Sequence, residues 1–381
     1  MRDILDARPV GDAIPPWCDA RGWSSFLLAL PDDAVRACER DGLAAHLPAL
    51  PGAPADLAAL AREVALATDL AAPQPYSHIR TDGFGASPRK RAQVAAFESL
   101  AARVSAGRAR VVDVGSGHGH LTRHLARALA LPAEGWERDP ARVAVATALA
   151  RDADARFVTA DLRAESSPFR ATDLVVGLHA CGALGDLAVT RAAEVGAAVA
   201  LVGCCLQKRE GDRAPLVVPA GMHPASLTLP HAVLGLGNAR DGDDGVEDDL
   251  ATRTLARVHR DALRALLRDA GEDLAPGEEM RGINRRRATG PLEALASLAF
   301  SRRGLVAPSP AAIGAALHRA RVAYERVRRV SLPRWMLARL IEVWVALDRA
   351  ARLAGAGYEA EVLAAFDPSV SPRNVAVLGR R

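Results

Sequence analysis

The sequence predicts an α/β protein built on a doubly wound parallel sheet, with an N-terminal helical cap and a helical insertion before the last two strands. Short apolar runs alternate with helical segments between residues 109 and 205, and this alternation is typical of a parallel sheet covered on both faces. Segments before residue 72 show helical spacing between proline and glycine breaks. The C-terminal residues contain two β-like runs joined by a proline-containing turn.

The elements follow in order along the chain. The N-terminal helices are WSSFLLAL, DDAVRACERDGLAAHL and PADLAALAREVALATDLA, and a fourth helix begins at Pro88 with Ser87 as its N-cap. Five strands are predicted at ARVVDVG, AEGWERD, ARFVTADL, TDLVVGLHA and AAVALVGCC, with helices at HLTRHLARALAL, PARVAVATALARDA and GDLAVTRAAEVG. The final runs, Glu361 to Phe366 and Asn374 to Gly379, are expected to form a hairpin that returns to the sheet.

These elements predict four regions. An N-terminal helical region covers residues 1–74, and the sheet-containing core covers 75–240. An arginine-rich helical insertion follows over 241–355, beginning in the acidic stretch RDGDDGVEDDL, which is expected to be a loop. The C-terminal hairpin over 356–381 completes the sheet.

Composition excludes several classes of protein. The apolar runs are broken well short of the ~20 residues that a membrane span needs, and the start MRDILDARPVGDAIPPW has no secretory pattern. We therefore expect a cytoplasmic protein with no membrane partner. Five cysteines in 381 residues do not suggest a secreted disulfide framework.

The basic charge points only weakly to nucleic acid. The formal net charge is +4, but Lys90 and Lys208 are the only lysines, and the other bases are arginines. Two clusters in the insertion, Arg285 to Arg287 and Arg328 to Arg329, could contact the phosphates of RNA. Solvated helix faces are the favoured interpretation of both clusters.

A glycine-rich turn follows the first predicted strand. In VVDVGSGHGHLTRHL, Gly115, Gly117 and Gly119 form G-x-G-x-G, and Asp113 stands two residues before the first glycine. Glycines here let backbone N–H groups approach a ligand closely. A dinucleotide-binding turn would have glycine at position 120, which is His120 here. Asp113 would repel a pyrophosphate but can bind an ammonium, so the pattern favours S-adenosylmethionine.

Acids close the next two predicted strands. Glu137 stands about 20 residues downstream, where an acid binds ribose hydroxyls in nucleotide folds, and Asp161 could accept the adenine amino group. Capping of helices is the alternative role for both acids. Lys90 could approach the methionine carboxylate. The predicted cofactor-binding residues are Asp113, Gly115, Ser116, Gly117, Gly119, Glu137, Asp161 and Leu162.

Several motifs resemble those of a class I S-adenosylmethionine-dependent methyltransferase family, which includes the ribosomal RNA adenine dimethylase domain-containing protein and its methyltransferase-like relatives. They are SPRKR, DVGSGHGHL, GLHACGALGDL, LVGCC and SPRNVAVL, in this order. The resemblance covers about residues 75–240 and the last twenty. It implies a seven-stranded, Rossmann-like sheet with the cofactor at its C-terminal edge. The family usually has His-x-Cys-Gly-Asp-Leu, whereas three additional residues, 183–185, separate the glycine from Asp186 here.

The ends of the fourth and fifth strands carry reactive side chains. Because these strands are neighbours in such a sheet, His179 and Cys181 should lie near Cys204 and Cys205. A zinc site, a catalytic thiol or base, and a pocket wall are the open interpretations. The spacings His-x-Cys and Cys-Cys differ from usual zinc motifs, and adjacent cysteines on a strand point apart, so no metal is predicted. The predicted catalytic residues are His179, Cys181 and Asp186.

The sequence thus predicts an S-adenosylmethionine-dependent methyltransferase whose acceptor is RNA, protein or a small molecule. The Asn/Asp-Pro-Pro-Tyr/Phe motif typical of exocyclic adenine methylation is missing after the fourth strand, which argues against dimethyladenosine synthesis by that route. The alternative is a non-catalytic nucleic-acid-binding or scaffold protein that keeps the fold and the cofactor.

Overall fold

The computed structural model describes residues 1–9, 13–73, 88–150, 154–164, 169–236, 246–275 and 277–381, with only the backbone for 246–250. The predicted N-cap Ser87 and residues 240–245 of the predicted acidic loop lie outside these ranges. The chain forms two compact units. The helical unit comprises Met1–Ala61 and Gly242–Arg334, and the sheet unit comprises Arg62–Asp241 and Trp335–Arg381.

The sheet unit is organised around a seven-stranded sheet with the order β3-β2-β1-β4-β5-β7-β6. The first five strands are parallel, whereas β7 runs antiparallel to both neighbours. This topology confirms the predicted doubly wound sheet, including the C-terminal hairpin. The strands are β1 (Arg110–Val114), β2 (Ala133–Glu137), β3 (Ala155–Thr159), β4 (Asp173–Gly177), β5 (Ala198–Val202), β6 (Glu359–Ala364) and β7 (Val375–Arg380).

Helices surround the sheet and form the other unit. They are α1 (Arg2–Asp6), α2 (Pro16–Ala20), α3 (Trp23–Ala29), α4 (Asp32–Asp41), α5 (Leu43–His46), α6 (Ala55–Ala67), α7 (Pro88–Ala102), α8 (His120–Leu129), α9 (Pro140–Ala148), α10 (Ala183–Val195), α11 (Pro224–Leu227), α12 (His231–Leu234), α13 (Val246–Asp269), α14 (Leu292–Ser301), α15 (Pro310–Met336) and α16 (Ala338–Ala354). Short 3₁₀ helices span Leu47–Ala49, Glu278–Met280 and Arg285–Thr289. None of the described helices is both long enough and apolar enough to cross a membrane.

Two apolar cores cover the two faces of the sheet. Successive residues of β1 belong to different cores. Val111 lies in the core that contains Phe97 of α7, and Val112 lies in the core that contains residues of α10 and α16 such as Leu353. Strand residues alternate between faces, and β1, β4 and β5 are buried on both. This double burial explains the near-continuous apolar runs in the sequence.

The helical unit joins the N-terminal helices to the arginine-rich insertion. Arg328 of α15 pairs with Glu39 of α4 at 2.6 Å, and Arg334 donates to the backbone oxygen of Leu5 at 2.9 Å. The segment predicted as one helix over 32–47 is interrupted at Gly42, whose φ of 94° ends α4. A left-handed φ cannot continue a right-handed helix.

Candidate active site at the C-terminal edge of the sheet

The glycine turn connects β1 to α8 in a compact loop. Gly115, Gly117 and Gly119 have φ values of 74°, 55° and 73°, a region that favours glycine. The amides of Gly115 and Ser116 donate to the Trp136 oxygen at 2.8 and 3.0 Å, which ties the loop to β2. A Cβ on Gly119 would overlap the ring of Phe157, whereas the space beside Gly117 is open. The loop is therefore held against β2 and Phe157, while the space beside Gly117 stays accessible.

Asp113 is a buried acid beneath this loop. Its carboxylate accepts a hydrogen bond from Thr122 Oγ1 at 2.7 Å. Burial raises the pKa of Asp113 to about 6, although the Thr122 bond and the charge of Lys90 oppose the shift. Burial also lowers the pKa of Lys90, against the charges of Asp113 and Cys204. An anion and a cation thus lie together at the end of β1.

Glu137 lies beside Asp113 at the end of β2. Its two carboxylate oxygens accept the amides of Gly117 and Asp139, each at 3.1 Å. Each oxygen can accept a second bond, so the carboxylate is positioned while it keeps capacity for a ligand hydroxyl. The charge of Glu137 also raises the pKa of Asp113, which shows that the two predicted acids are brought together.

Asp161 and Leu162 follow β3 in different environments. Asp161 is partly exposed and pairs with Arg163 at 3.2 Å, and this hydrogen bond lowers its pKa. Leu162 is buried in the core that contains Trp136. Asp161 would have to exchange Arg163 for an adenine amino group, so its surroundings differ from those of Asp113 and Glu137.

The glycine loop fits the predicted cofactor on three structural grounds. Ser116 Oγ is buried with no hydrogen-bond partner among the described residues, and a buried polar atom of this kind usually has one. Gly117 leaves open space where a side chain would stand. Asp113, Lys90 and Glu137 offer an anion, a cation and a hydroxyl acceptor, which match the ammonium, carboxylate and ribose of S-adenosylmethionine.

Four side chains predicted to converge follow β4 and β5, which are neighbours in the sheet. Cys181 Sγ lies 2.7 Å from Cys204 Sγ, and Cys204 Sγ lies 3.7 Å from Cys205 Sγ. The expectation that the adjacent cysteines point apart is wrong, because β5 ends at Val202 and strand alternation does not extend into the following turn.

Positive charge lies beside this cysteine cluster, which we define as Cys181, Cys204 and Cys205. Arg373 Nη1 donates to Cys205 Sγ at 3.2 Å. Hydrogen bonds from the other two cysteines lower the pKa of the Cys181 thiol. His179 is exposed at the adjoining turn. Partial desolvation of its ring and the charge of Lys90 nevertheless lower its pKa to about 3. Its imidazole is therefore neutral near pH 7 and a weak base.

Asp186 lies in a different kind of environment, within the first turn of α10. Its oxygens accept from Arg349 at 2.8 Å, Arg209 at 2.9 Å and Arg213 at 3.0 Å. Burial would raise the pKa of Asp186, but the charges of Arg349 and Arg213 lower it to about 2. Arg213 also pairs with Asp348 at 2.8 Å. We call these five residues the arginine cluster.

Sequence reasoning missed most of these partners. Arg349 is separated from Asp186 by 163 positions, and no local pattern links the two. Thr122 lies nine positions from Asp113 and looks like an ordinary helix residue. Arg373 belongs to the quoted motif SPRNVAVL, and that motif was the one signal for its role.

Part of the chain matches a known protein family. Residues 89–210 match a family described as "Methyltransferase domain". Similar solved structures include a TehB-like SAM-dependent methyltransferase from Corynebacterium glutamicum, with 20% identity, 28% of this chain and 60% of that chain covered, and a TM-score of 0.23. The sugar N-methyltransferase KedS8 from a Streptoalloteichus species has 20% identity, coverages of 34% and 58%, and a TM-score of 0.25. The plantazolicin methyltransferase BpumL, solved with SAH, has 13% identity, coverages of 45% and 61%, and a TM-score of 0.24.

The chain spans about six tenths of the length of these solved proteins. The assignment therefore rests on the matched domain, which contains Lys90, the glycine loop and the cysteine cluster, and on the strand order. The matched domain indicates S-adenosylmethionine as the cofactor. The sheet unit of this chain thus carries a methyltransferase domain with the class I, Rossmann-like fold.

Proposed function

We propose that this protein transfers a methyl group from S-adenosylmethionine to an acceptor at the ends of β4 and β5. The observation that carries the proposal is the glycine loop, where Asp113 and Glu137 face one site and Ser116 Oγ has no partner. Asp113 would bind the ammonium, Lys90 the carboxylate and Glu137 the ribose hydroxyls. Asp161 would contact the adenine amino group after releasing Arg163.

When bound, S-adenosylmethionine supplies an electrophilic methyl group on a sulfonium. The chain's own contribution is mainly to hold the acceptor in line with that methyl group, because positioning can supply much of the rate enhancement. His179, exposed beside the cysteine cluster, would accept a hydrogen bond from the acceptor group, whose proton would pass to solvent after methyl transfer. Cys181 would line the same pocket. Asp186 would position the turns that follow β4 and β5, because Arg349 binds both the Asp186 carboxylate and the Gly182 oxygen.

The acceptor class is part of the proposal. The motifs shared with the ribosomal RNA adenine dimethylase family favour an RNA-related role, and Arg285 to Arg287 are exposed on the helical unit. Arg328 and Arg329 instead pair with Glu39, Asp32 and Glu325. We propose RNA as the first acceptor to test, in a cytoplasmic protein, with a site other than a stacked adenine amino group.

The first experiment measures cofactor binding by titration calorimetry. Wild-type protein should bind S-adenosylmethionine, and Glu137→Gln should weaken binding by at least about tenfold, since a hydrogen bond to a charged group contributes roughly 1.5–3 kcal/mol. Arg163→Ala is the contrasting variant: it frees Asp161 for the adenine amino group without touching Glu137, so binding should stay the same or tighten. Absence of binding by the wild type at high micromolar cofactor would overturn the proposal.

The second experiment identifies the acceptor. The protein is incubated with methyl-labelled cofactor and with lysate from a strain that lacks the protein. The labelled products are then digested separately with ribonuclease and with protease. Label released by ribonuclease supports RNA as the acceptor. Label released by protease would instead assign a protein acceptor. Salt-dependent RNA binding without any methyl transfer would favour the non-catalytic alternative.

A further inference from the structure

Three cysteine sulfurs converge where β4 and β5 end. The Sγ atoms of Cys181, Cys204 and Cys205 all lie within 4.8 Å of one another. We propose that this cysteine cluster binds a zinc ion through three thiolates, with the fourth coordination position left for water or a substrate atom. Three protein ligands and one open position are the usual arrangement of a catalytic zinc ion.

The sulfur spacing suits this ion. Zinc–sulfur bonds of about 2.3 Å in tetrahedral geometry place two sulfurs roughly 3.8 Å apart. Cys204 and Cys205 are already 3.7 Å apart. Cys181 and Cys204 are at 2.7 Å and would have to separate by about 1 Å, a shift that side-chain rotation can supply. The spacing along the chain had argued against a metal, but it describes one turn at a time, whereas this site is assembled from two.

Positive charge lies beside the cluster, where a zinc ion bound to three thiolates would need it. Three thiolates and one zinc ion carry one net negative charge, and burying that charge requires compensation. Arg373 donates to Cys205 Sγ at 3.2 Å, and the charge of Lys90 acts on Cys204. N–H donors to coordinating sulfur orient the ligands and stabilise the metal. Arg373 and Lys90 thus supply positive charge that would offset the net negative charge of a Cys₃ zinc site.

The two turns are held in place without any metal. Leu184 donates to the Cys181 oxygen at 3.2 Å, and Lys208 donates to the Cys205 oxygen at 3.1 Å. Ala183 joins the turns by donating to the Lys208 oxygen at 3.3 Å. The arginine cluster binds both turns through Asp186 and Arg209. Serine variants of the cysteines should therefore fold, which makes the proposal testable.

The remaining cysteines provide matched controls. Cys18 and Cys38 are both buried in the helical unit. Burial raises the pKa of each thiol to about 11, which keeps them protonated near neutral pH. Neither belongs to the described groups that could hold a metal, so Cys38→Ser should leave metal binding unchanged.

The test uses full-length protein, reduced and freed of metal by dialysis against a chelator. Zinc titration should give one equivalent bound, and Co²⁺ loading should give thiolate-to-metal charge-transfer absorption with tetrahedral visible bands. Cys181→Ser, Cys204→Ser and Cys205→Ser should each weaken zinc binding by more than roughly 100-fold, since losing only a hydrogen-bonding neighbour of a ligand already costs roughly 10–100-fold. Circular dichroism checks that each variant is folded.

Three results would overturn the proposal. The first is no zinc uptake by reduced wild-type protein, and the second is uptake that survives the triple serine variant. The third is a Cys181–Cys204 disulfide found by peptide mass spectrometry in protein purified without reductant, together with no zinc binding after reduction. Calorimetry with S-adenosylmethionine on metal-free protein tests the proposed function separately, so either proposal can fail alone.

Discussion

Two buried aspartates of the sheet unit, Asp113 in β1 and Asp186 in α10, lie in opposite electrostatic environments. Asp113 has one hydroxyl donor and a pKa raised by burial to about 6. Asp186 has three guanidinium partners, which overcome the effect of burial and lower its pKa to about 2. Both were predicted as site residues, Asp113 from its place before the glycine turn and Asp186 from the family resemblance. Their surroundings distinguish them.

The difference shows which buried charge is satisfied by the fold. The arginines around Asp186 supply the compensation that a buried carboxylate requires, so this acid is suited to holding turns together. Asp113 lies beside the open space at Gly117 and the unpartnered Ser116 Oγ. Its charge is less well compensated, and a bound ammonium would improve that compensation.

Removing the carboxylate of Asp186 should have the largest effect. Asp186→Ala leaves Arg349, Arg213 and Arg209 without their shared partner, and breaking a buried ion pair destabilises by roughly 3–5 kcal/mol. Urea denaturation followed by circular dichroism measures the loss. Asp161→Asn is the control: Asp161 is partly exposed and pairs with Arg163 alone, so the midpoint should not change. An unchanged midpoint for Asp186→Ala would remove the distinction between the two aspartates.

A substitution at Gly182, in the turn before α10, should cause the second-largest loss of stability. Gly182 has φ 56° and ψ −127°, and a Cβ there would overlap the Lys208 oxygen. Gly182→Ala should destabilise by about 3 kcal/mol, from backbone strain and overpacking together. Gly211→Ala is the matched control, with φ 64° and open space, and should lose only about 1 kcal/mol. Equal urea midpoints for the two variants would contradict the close contact between the turns.

The parts of the molecule that follow local rules were predictable from sequence. Alternation of apolar strands and helices predicted the sheet, and the glycine spacing placed the loop at the end of β1. The arginine cluster was not predictable, because Arg349 reaches Asp186 from a helix 163 positions away. The sulfur geometry was also missed, because Cys204 and Cys205 lie beyond β5, where strand alternation no longer applies.

Asp113→Asn should affect binding and stability in opposite directions. Binding of S-adenosylmethionine should weaken more than tenfold, since a hydrogen bond between charged groups contributes roughly 1.5–3 kcal/mol. Stability at pH 7 should stay the same or rise by up to about 2 kcal/mol, because a buried and poorly compensated charge is removed. Calorimetry and urea denaturation measure the two quantities. A large loss of stability would show that Asp113 resembles Asp186 after all.

Cofactor binding should also depend on pH. Because the pKa of Asp113 is raised to about 6, its carboxylate is mostly ionised at pH 7 and mostly protonated at pH 5. The affinity for S-adenosylmethionine should therefore fall about tenfold between these values, following the ionised fraction. The Asp113→Asn variant should show a flat profile over the same range. A wild-type profile that is equally flat would assign the ammonium to another group.

Ser116→Ala should have the smallest effect and separates the two environments most finely. Its hydroxyl is buried without a partner among the described residues, so its removal should leave stability unchanged or raise it by about 1 kcal/mol. If that hydroxyl awaits the cofactor, calorimetry should show weaker binding of S-adenosylmethionine, since a neutral hydrogen bond contributes roughly 1 kcal/mol. Thr122→Val is the contrasting variant, because Thr122 donates to Asp113 and its loss should lower stability. Unchanged affinity in Ser116→Ala would make the unpartnered hydroxyl a packing defect of the loop, and the case for a ligand there would rest on Asp113 and Glu137.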